Sequence, residues 1–503
     1  MQVIETFGRY VERLSNTNPD RARTLLKTGW QAQNLKFRCM PDKELLLADQ
    51  YLAHLMMDTM LKPLKDAANS VLVSVFTPCE LMQEVGLSPY NVEAFSCYLS
   101  ASKAERAFLQ TAEDCGISET LCSYHKTFIG AAQKGLLPAP RCIVYTSLAC
   151  DANLLTFKEL AALYQVPCFA IDVPACRSNA KRSYNDRHNL PPSGGEGAIP
   201  ACRSNAKRSY NDRHNLPPSG GEGAIPACRS NAKRSYNDRH NLPPSGGEGA
   251  IPAYQSDADV MYVADQLRDL ACFLEEQTGK KIDEESLRGR IARSRRTLEN
   301  YDRFQKERVD KYIPEDLVSP MYCGMTNNIL LGTKEEEEYT RRLLAGLEKA
   351  GPARGKRIYW MHTIPFWSQA VKDVFLLKES AQIVGCELAQ VANLEHHSDD
   401  PYEEMAMRLL YNSLNGSITR RIEAGIRHAK ETKADGVIWF NHWGCKHTLG
   451  GSQLAKKKFE AAGIPTLILD GDGCDRSHGG EGQTSTRLGA FLEMLNGQAE
   501  VKK

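Results

Sequence analysis

The chain has 503 residues, of which 42% are apolar and 25% charged, ordinary proportions for a globular protein with a buried core. A formal net charge of +1 excludes bulk steering toward nucleic acid or an anionic lipid surface. No apolar run reaches the length of a membrane span, and Met1 to Arg9 lacks the basic-then-apolar order of a signal peptide, so a cytoplasmic location is expected.

Residues 1–70 read as a helical segment, because apolar residues recur at helical spacing from Asp42 to Met57. A first α/β domain is expected over 71–173. Its strands are VLVSVF (71–76), CIVYTS (142–147) and CFAID (168–172), with the helical stretch FKELAALY (157–164) between the last two. Strand, helix and strand at this spacing predict a parallel sheet.

The unit PACRSNAKRSYNDRHNLPPSGGEGAI then occurs three times without a change, at 174–199, 200–225 and 226–251. Each copy contributes +2, so the repeats carry +6 and the remaining chain −5. The units have few large apolar residues and no period that would stack as a solenoid. Pro-Pro-Ser-Gly-Gly and the Asn, Asp and Ser clusters favour turns and disorder. The expectation is a disordered, flexible tandem-repeat insertion, made by duplication or as an artefact. The alternative is an Arg/Lys/Tyr-rich tether for RNA or an acidic partner. Cys176, Cys202 and Cys228, with His188, His214 and His240, owe their 26-residue spacing to copying and are not counted as metal ligands.

A helical connector is expected over 252–330, helical and highly charged from 257 to 313 with few breakers. The second α/β domain, 331–503, carries strands RIYWMH (357–362), QIVGCEL (382–388), GVIWF (436–440) and TLILD (466–470). Helices are predicted over 403–412, 418–430 and 452–462, with a closing helix 484–496 that ends at Gly497. The fold class is therefore α/β, with two Rossmann-like parallel-sheet domains joined by helices.

Sixteen cysteines in a chain this long suggest reduced thiols rather than a disulfide scaffold. In open parallel sheets, functional groups collect past the carboxyl ends of strands. Cys150 follows CIVYTS there, and Cys445 follows GVIWF in Asn-His-Trp-Gly-Cys-Lys. Cys122 sits near the start of a predicted helix, 119–134, with Ser118 as its cap. A helix N-terminus favours the thiolate, and Gly444 lets the backbone come close to a bulky group. From the residues alone, a reactive cysteine, a shared metal site and a set of buried small hydrophobes all remain open.

Several segments carry a family resemblance. They are Thr-Pro-Cys-Glu-Leu (77–81), Ala-Glu-Asp-Cys-Gly-Ile (112–117), Leu-Cys-Ser-Tyr (121–124), Ala-Cys-Asp (149–151) and Ile-Asp-Val-Pro (171–174), followed by Glu-Gln-Thr-Gly-Lys-Lys (276–281), His-Trp-Gly-Cys-Lys (442–446), Gly-Ile-Pro-Thr (463–466) and Asp-Gly-Asp (470–472), with Thr486-Arg487. In this order the chain resembles the 2-hydroxyacyl-CoA dehydratase family, especially the larger, active-site-type subunit. The benzoyl-CoA reductase subunits are relatives of that family. The resemblance implies a [4Fe-4S] cluster held by Cys122, Cys150 and Cys445, with one iron left open. It implies that one electron passes to the thioester carbonyl of a (R)-2-hydroxyacyl-CoA and that the ketyl radical expels the C2 hydroxyl. A base then takes the C3 proton, the electron returns, and a 2-enoyl-CoA results. The implied partners are an acyl-CoA substrate, a second, smaller cluster-bearing subunit and a separate ATP-dependent activator. This chain has no nucleotide motif of its own, since Gly-Gly-Glu-Gly at 479–482 lacks the Lys-Ser/Thr of a phosphate loop.

Glu80 is the candidate acid/base, a carboxyl expected in a dry pocket; the alternative is a solvated helix-start glutamate. Ser123 and His447, beside cluster cysteines, are candidates to hydrogen-bond sulfide or substrate. The competing metal reading is zinc on Cys445, His447, Cys474 and His478. The competing functions are a benzoyl-CoA reductase-like or double-cubane-type subunit, for which Cys79, Cys97 and Cys115 leave room, and a non-catalytic electron-relay subunit.

Overall fold

The structure, a computed structural model, describes residues 2–175, 257–390, 394–478 and 480–501. The repeats from Cys176 onward lie outside the described residues, so the expectation of a disordered insertion is not addressed by the coordinates. No described helix is long and apolar enough to cross a membrane.

Three helices open the chain: α1 (Gln2–Thr17), α2 (Pro19–Cys39) and α3 (Leu47–Lys65). Asn18 caps α2 by accepting from the Arg21 N–H, and Pro19 at the first helical position needs no donor there. The first sheet follows, with β1 (Ser70–Val73), β2 (Ser88–Asn91), β3 (Cys142–Thr146) and β4 (Cys168–Ile171). Between them run α4 (Glu80–Glu84), α5 (Val92–Ala101), α6 (Arg106–Asp114), α7 (Ser123–Gln133) and α8 (Ala152–Tyr164). All strand pairs are parallel, in the order β2-β1-β3-β4. The strand β2 was not expected from the sequence. It is four residues long and contains Pro89, which is tolerated because β2 is an edge strand.

Helices α9 (Asp257–Thr278), α10 (Glu284–Glu307), α11 (Ser319–Ile329) and α12 (Lys334–Leu347) form the connector. The stretch expected to be helical from 257 to 313 is interrupted once after Thr278, where Gly279 takes a left-handed φ of 69° and Asp283 caps the next helix. Chain segments on either side of the repeats are tied together. Asp172 N–H donates to Gln266 Oε1 (2.8 Å), Gln266 Nε2 donates to Asp172 O (2.9 Å), and Tyr262 donates to Asp172 Oδ2 (3.0 Å).

The second sheet has β5 (Lys356–Met361), β6 (Ala381–Cys386), β7 (Gly436–His442) and β8 (Thr466–Gly471), again all parallel, in the order β6-β5-β7-β8. It carries α13 (Gln369–Phe375), α14 (Pro401–Leu410), α15 (Ile418–Glu431), α16 (Lys446–Leu449), α17 (Ser452–Ala461) and α18 (Glu481–Val501). The closing helix does not stop at Gly497, as expected, but continues through it to Val501. Two fully buried tryptophans, Trp360 on β5 and Trp439 on β7, anchor this half.

Both sheets share one topology. The chain steps from the first strand to a neighbour on one side, then returns to the other side of that first strand. The crevice where this reversal occurs lies past the ends of β1 and β3 in one half and of β5 and β7 in the other, the place where α/β sheets bind ligands.

Candidate functional site

Three non-glycine residues hold left-handed φ values at these crevices: Phe76 (70°) after β1, Ala149 (68°) after β3 and His362 (76°) after β5. Each such residue costs about 1–2 kcal/mol, and strain of this kind gathers at functional sites. Ala149 immediately precedes Cys150.

Cys122, Cys150 and Cys445 come from distant parts of the chain and lie within electrostatic reach of one another. Each precedes a helix. Cys122 is the cap residue of α7, which starts at Ser123 rather than at 119. Ser118 is not its cap, since its hydroxyl serves Thr120 instead. Cys150 lies just before α8, and its carbonyl accepts from the Asn153 N–H (3.1 Å). Cys445 is the cap residue of α16. Burial pushes the Cys122 thiol well up, with further contributions from the neighbouring Cys445 and Cys150. Burial likewise pushes Cys150 up to about 11. A negative charge at these sulfurs therefore lacks a counter-charge, which a cationic metal group would supply.

Gly444 brings the two halves together. It has φ 82°, and a Cβ there would stand 2.6 Å from both Cα and N of Cys122. The close neighbour that requires glycine is thus the backbone of a second cysteine segment. His442, at the end of β7, sets the hydrogen bonding of Cys122. Its Nδ1 accepts from the Gly473 N–H (3.0 Å), and its Nε2 lies 3.1 Å from Cys122 Sγ. A backbone N–H can only donate, so the ring proton resides on Nε2 and is donated to sulfur. Burial lowers the His442 pKa, which keeps the ring neutral. The His362 ring stacks behind it at 5.7 Å.

A buried chain of contacts fixes Cys445. Arg421 donates to both oxygens of Glu387 (2.6 Å each), and its Nη1 donates to Thr448 Oγ1 (3.2 Å). The Thr448 hydroxyl proton is then free to point at Cys445 Sγ, 3.2 Å away. The Arg421 guanidinium also lies over the Trp439 ring.

The other residues singled out from the sequence have protein partners. Ser123 donates to Asp472 Oδ1 (2.6 Å), which also accepts from the Cys474 and Asp475 N–H groups. His447 meets Arg421 through Nδ1 (3.3 Å), and burial, aided by Arg421, lowers its pKa to about 4. Glu80 is fully buried at the start of α4 but is not solitary. Its Oε1 accepts from Ser294 Oγ (2.7 Å) and pairs with Arg408 Nη2 (2.6 Å). Cys79 and Cys97 are buried and Cys115 is exposed. Cys474 is buried against Ser96 and Thr127, apart from Cys445. Among the described residues no three of His, Cys, Asp and Glu close on one ion, as the zinc alternative would need; the His478 side chain lies outside that description. The three thiols, each at a helix start, fit the donor set of an iron–sulfur group, which spans wider gaps than one ion.

Sequence reasoning missed His442, Asp472, Thr448 and the Arg421–Glu387 pair. The first two lie in segments that carried the resemblance, and Thr448 stands one helical turn after Cys445. Arg421 and Glu387 have no local signal. Also missed was Glu93 on α5. Its Oε1 accepts weakly from the Val75 N–H (3.4 Å), burial raises its carboxyl to about 7, and it lies within reach of Cys150.

These observations define an α/β protein with paired switch-point crevices and three partly buried thiols shared between its halves. The family described as "2-hydroxyglutaryl-CoA dehydratase, D-component" matches residues 74–188 and 242–495, and the chain belongs to that family. The match passes over 189–241, inside the repeats. A similar protein is the (R)-phenyllactyl-CoA dehydratase beta subunit of Clostridium sporogenes, 27% identical over 239 residues. That alignment covers 44% of this chain and 60% of the relative's length. The relative is designated a beta subunit, which does not carry the expectation of the larger, active-site-type subunit.

Proposed function

We propose that this chain is the iron–sulfur subunit of a 2-hydroxyacyl-CoA dehydratase-type enzyme, which removes water from a (R)-2-hydroxyacyl-CoA to give a 2-enoyl-CoA. The observation that carries this reading is the convergence of Cys122, Cys150 and Cys445 at three helix starts. When bound, a [4Fe-4S] group would supply one-electron chemistry and an iron open to an oxygen ligand. The chain's own residues orient two of the three sulfurs. His442 does so for Cys122 and Thr448 for Cys445. Glu93, buried and near-neutral in pKa, is placed to hold a proton beside this centre. The designation of the relative as a beta subunit supports a second subunit as partner. A separate ATP-dependent activator completes the proposal.

The test is anaerobic purification followed by iron and sulfide analysis and a visible spectrum. Iron and acid-labile sulfide together, lost in Cys122→Ser, Cys150→Ser or Cys445→Ser, are expected. Zinc without iron contradicts the reading. A second reading, a subunit that relays electrons without doing the chemistry, is favoured by one observation: Glu80, Ser123 and His447 all have protein partners. Anaerobic turnover of 2-hydroxyacyl-CoA thioesters, with the partner subunit, activator and ATP, separates the two. Glu93→Gln lowers turnover under the first reading and leaves it unchanged under the second.

A further inference from the structure

Six asparagines are buried among the described residues, and five of them have a use for the side-chain amide. Asn34 donates to Asp58, Asn91 accepts from the Ala94 N–H, Asn412 accepts from the Leu414 N–H, Asn415 donates to the Pro174 and Leu410 carbonyls, and Asn441 donates to Asp470. Asn153 is the exception. It is 1% exposed, and neither its Nδ2 nor its Oδ1 has a hydrogen-bond partner among the described residues. An amide buried in this state costs stability unless something meets it.

The helix geometry shows what the amide faces. Asn153 stands in the first turn of α8, and its N–H donates to the Cys150 carbonyl (3.1 Å). Helix α8 packs beside α7, where His125 Nδ1 lies 3.0 Å from Thr156 Oγ1 and the Phe128 and Phe157 rings meet at 5.9 Å. Three residues on a helix make about one turn and share a face. One turn back from Thr156 is Asn153, and one turn back from His125 is Cys122. Asn153 therefore looks from α8 toward the start of α7, at the level of Cys122 and Cys150, which are within electrostatic reach of each other. Cys122 has His442 and Cys445 has Thr448 beside its sulfur.

Resting on the iron–sulfur reading above, we infer that Asn153 is a positioning residue of the thiol centre: its Nδ2 donates a hydrogen bond to a sulfur of the bound iron–sulfur group on the side of Cys122 and Cys150, and thereby raises the reduction potential of that group. Sulfur bound to iron can only accept, so of the two amide atoms Nδ2 turns toward it and Oδ1 is left to accept from a water. An added electron makes the sulfurs more negative. A donor aimed at them then stabilises the reduced form more than the oxidised one.

The test is a mediated redox titration of the full chain, purified anaerobically with iron and sulfide recorded, and followed by visible absorption and electron paramagnetic resonance. Asn153→Leu keeps the side-chain size and removes both polar atoms. It is expected to lower the midpoint potential and to release iron to a chelator at least about tenfold faster. Thermal melts supply a second readout. Without iron, Asn153→Leu should melt above the unaltered chain, because the unmatched amide is gone. With iron bound, that gain should disappear. A merely structural asparagine would shift both melts alike and leave the potential in place. Should Asn153→Leu fail to fold, Asn153→Ala favours the helix, removes the same donor and should also lower the potential. Iron present with an unmoved potential, or equal melting shifts with and without iron, overturns the inference and leaves the iron–sulfur reading standing. Absence of iron and sulfide from the unaltered chain overturns both.

Discussion

At Cys122 a single backbone donor governs the chemistry of a side chain two steps away. The Gly473 N–H occupies His442 Nδ1, so the Nε2 proton points at sulfur. His442→Phe keeps an aromatic ring in the buried space and removes that donor. Partners of this kind change metal affinity by about ten- to a hundredfold, so iron should pass to a chelator faster by a similar factor, measured anaerobically. The thiols themselves give a pH signature. Burial pushes Cys122 well up and Cys150 to about 11, so the metal-free fold holds these protons more tightly than the unfolded chain does. Below the ordinary thiol pKa of about 8.5 both states keep their protons, and above it the unfolded chain sheds them first. Stability of the metal-free chain is therefore lost as pH rises from about 8.5 toward 11, by more than about 1 kcal/mol per pH unit for each thiol. Thermal melts across that range should show the fall without iron and its absence with iron, because ligating thiols are already deprotonated.

Among the elements, the loop between β7 and α16 places Cys445 against the start of α7. Gly444→Ala would force a Cβ to within 2.6 Å of the Cys122 backbone at a φ of 82°. The backbone conformation alone costs about 1–2 kcal/mol, and the contact adds to it. The expected outcome is a lowered melting temperature with iron content reduced well beyond what the stability loss explains, since the displaced segment carries a proposed ligand. Strands of this kind were legible because VLVSVF, CIVYTS, GVIWF and TLILD are compact apolar runs bounded by turn residues, and seven of the eight observed strands fall on predicted runs. The exception, β2, reads Ser-Pro-Tyr-Asn and carries no pattern; it is a strand because β1 offers it a free edge. Cys150 and Cys445 were read from strand ends and Cys122 from a helix start. The identity of what surrounds them was not, because Arg421 meets Glu387 across 34 positions and Ser123 meets Asp472 across 349. Glu80 illustrates the same limit: the dry pocket was foreseeable, and its partner Arg408, on α14, was not.

For the whole molecule, the question is whether the repeats at 174–251 are part of the working protein. Two independent observations set them apart. The family match passes over 189–241. The segments flanking the repeats are joined without them, through hydrogen bonds exchanged between Asp172 and Gln266 and one donated by Tyr262 to Asp172. The sequence offers a clean junction, because the unit begins Pro174-Ala175 and the chain resumes Pro252-Ala253. Deleting 174–251 therefore puts Pro252 where Pro174 stood, with a carbonyl able to accept from Asn415 as Pro174 does at 3.1 Å. Four residues, Ala253 to Ser256, then lead to the start of α9, and the closed loop becomes far shorter, which reduces its closure cost by only about 2 kcal/mol. The deleted chain should fold with a melting temperature equal to or slightly above the parent and with the same iron content per chain. A loss of soluble yield or of iron on deletion would mean that the repeats brace the strand end beside Cys150, and the passive view of the insertion would fail.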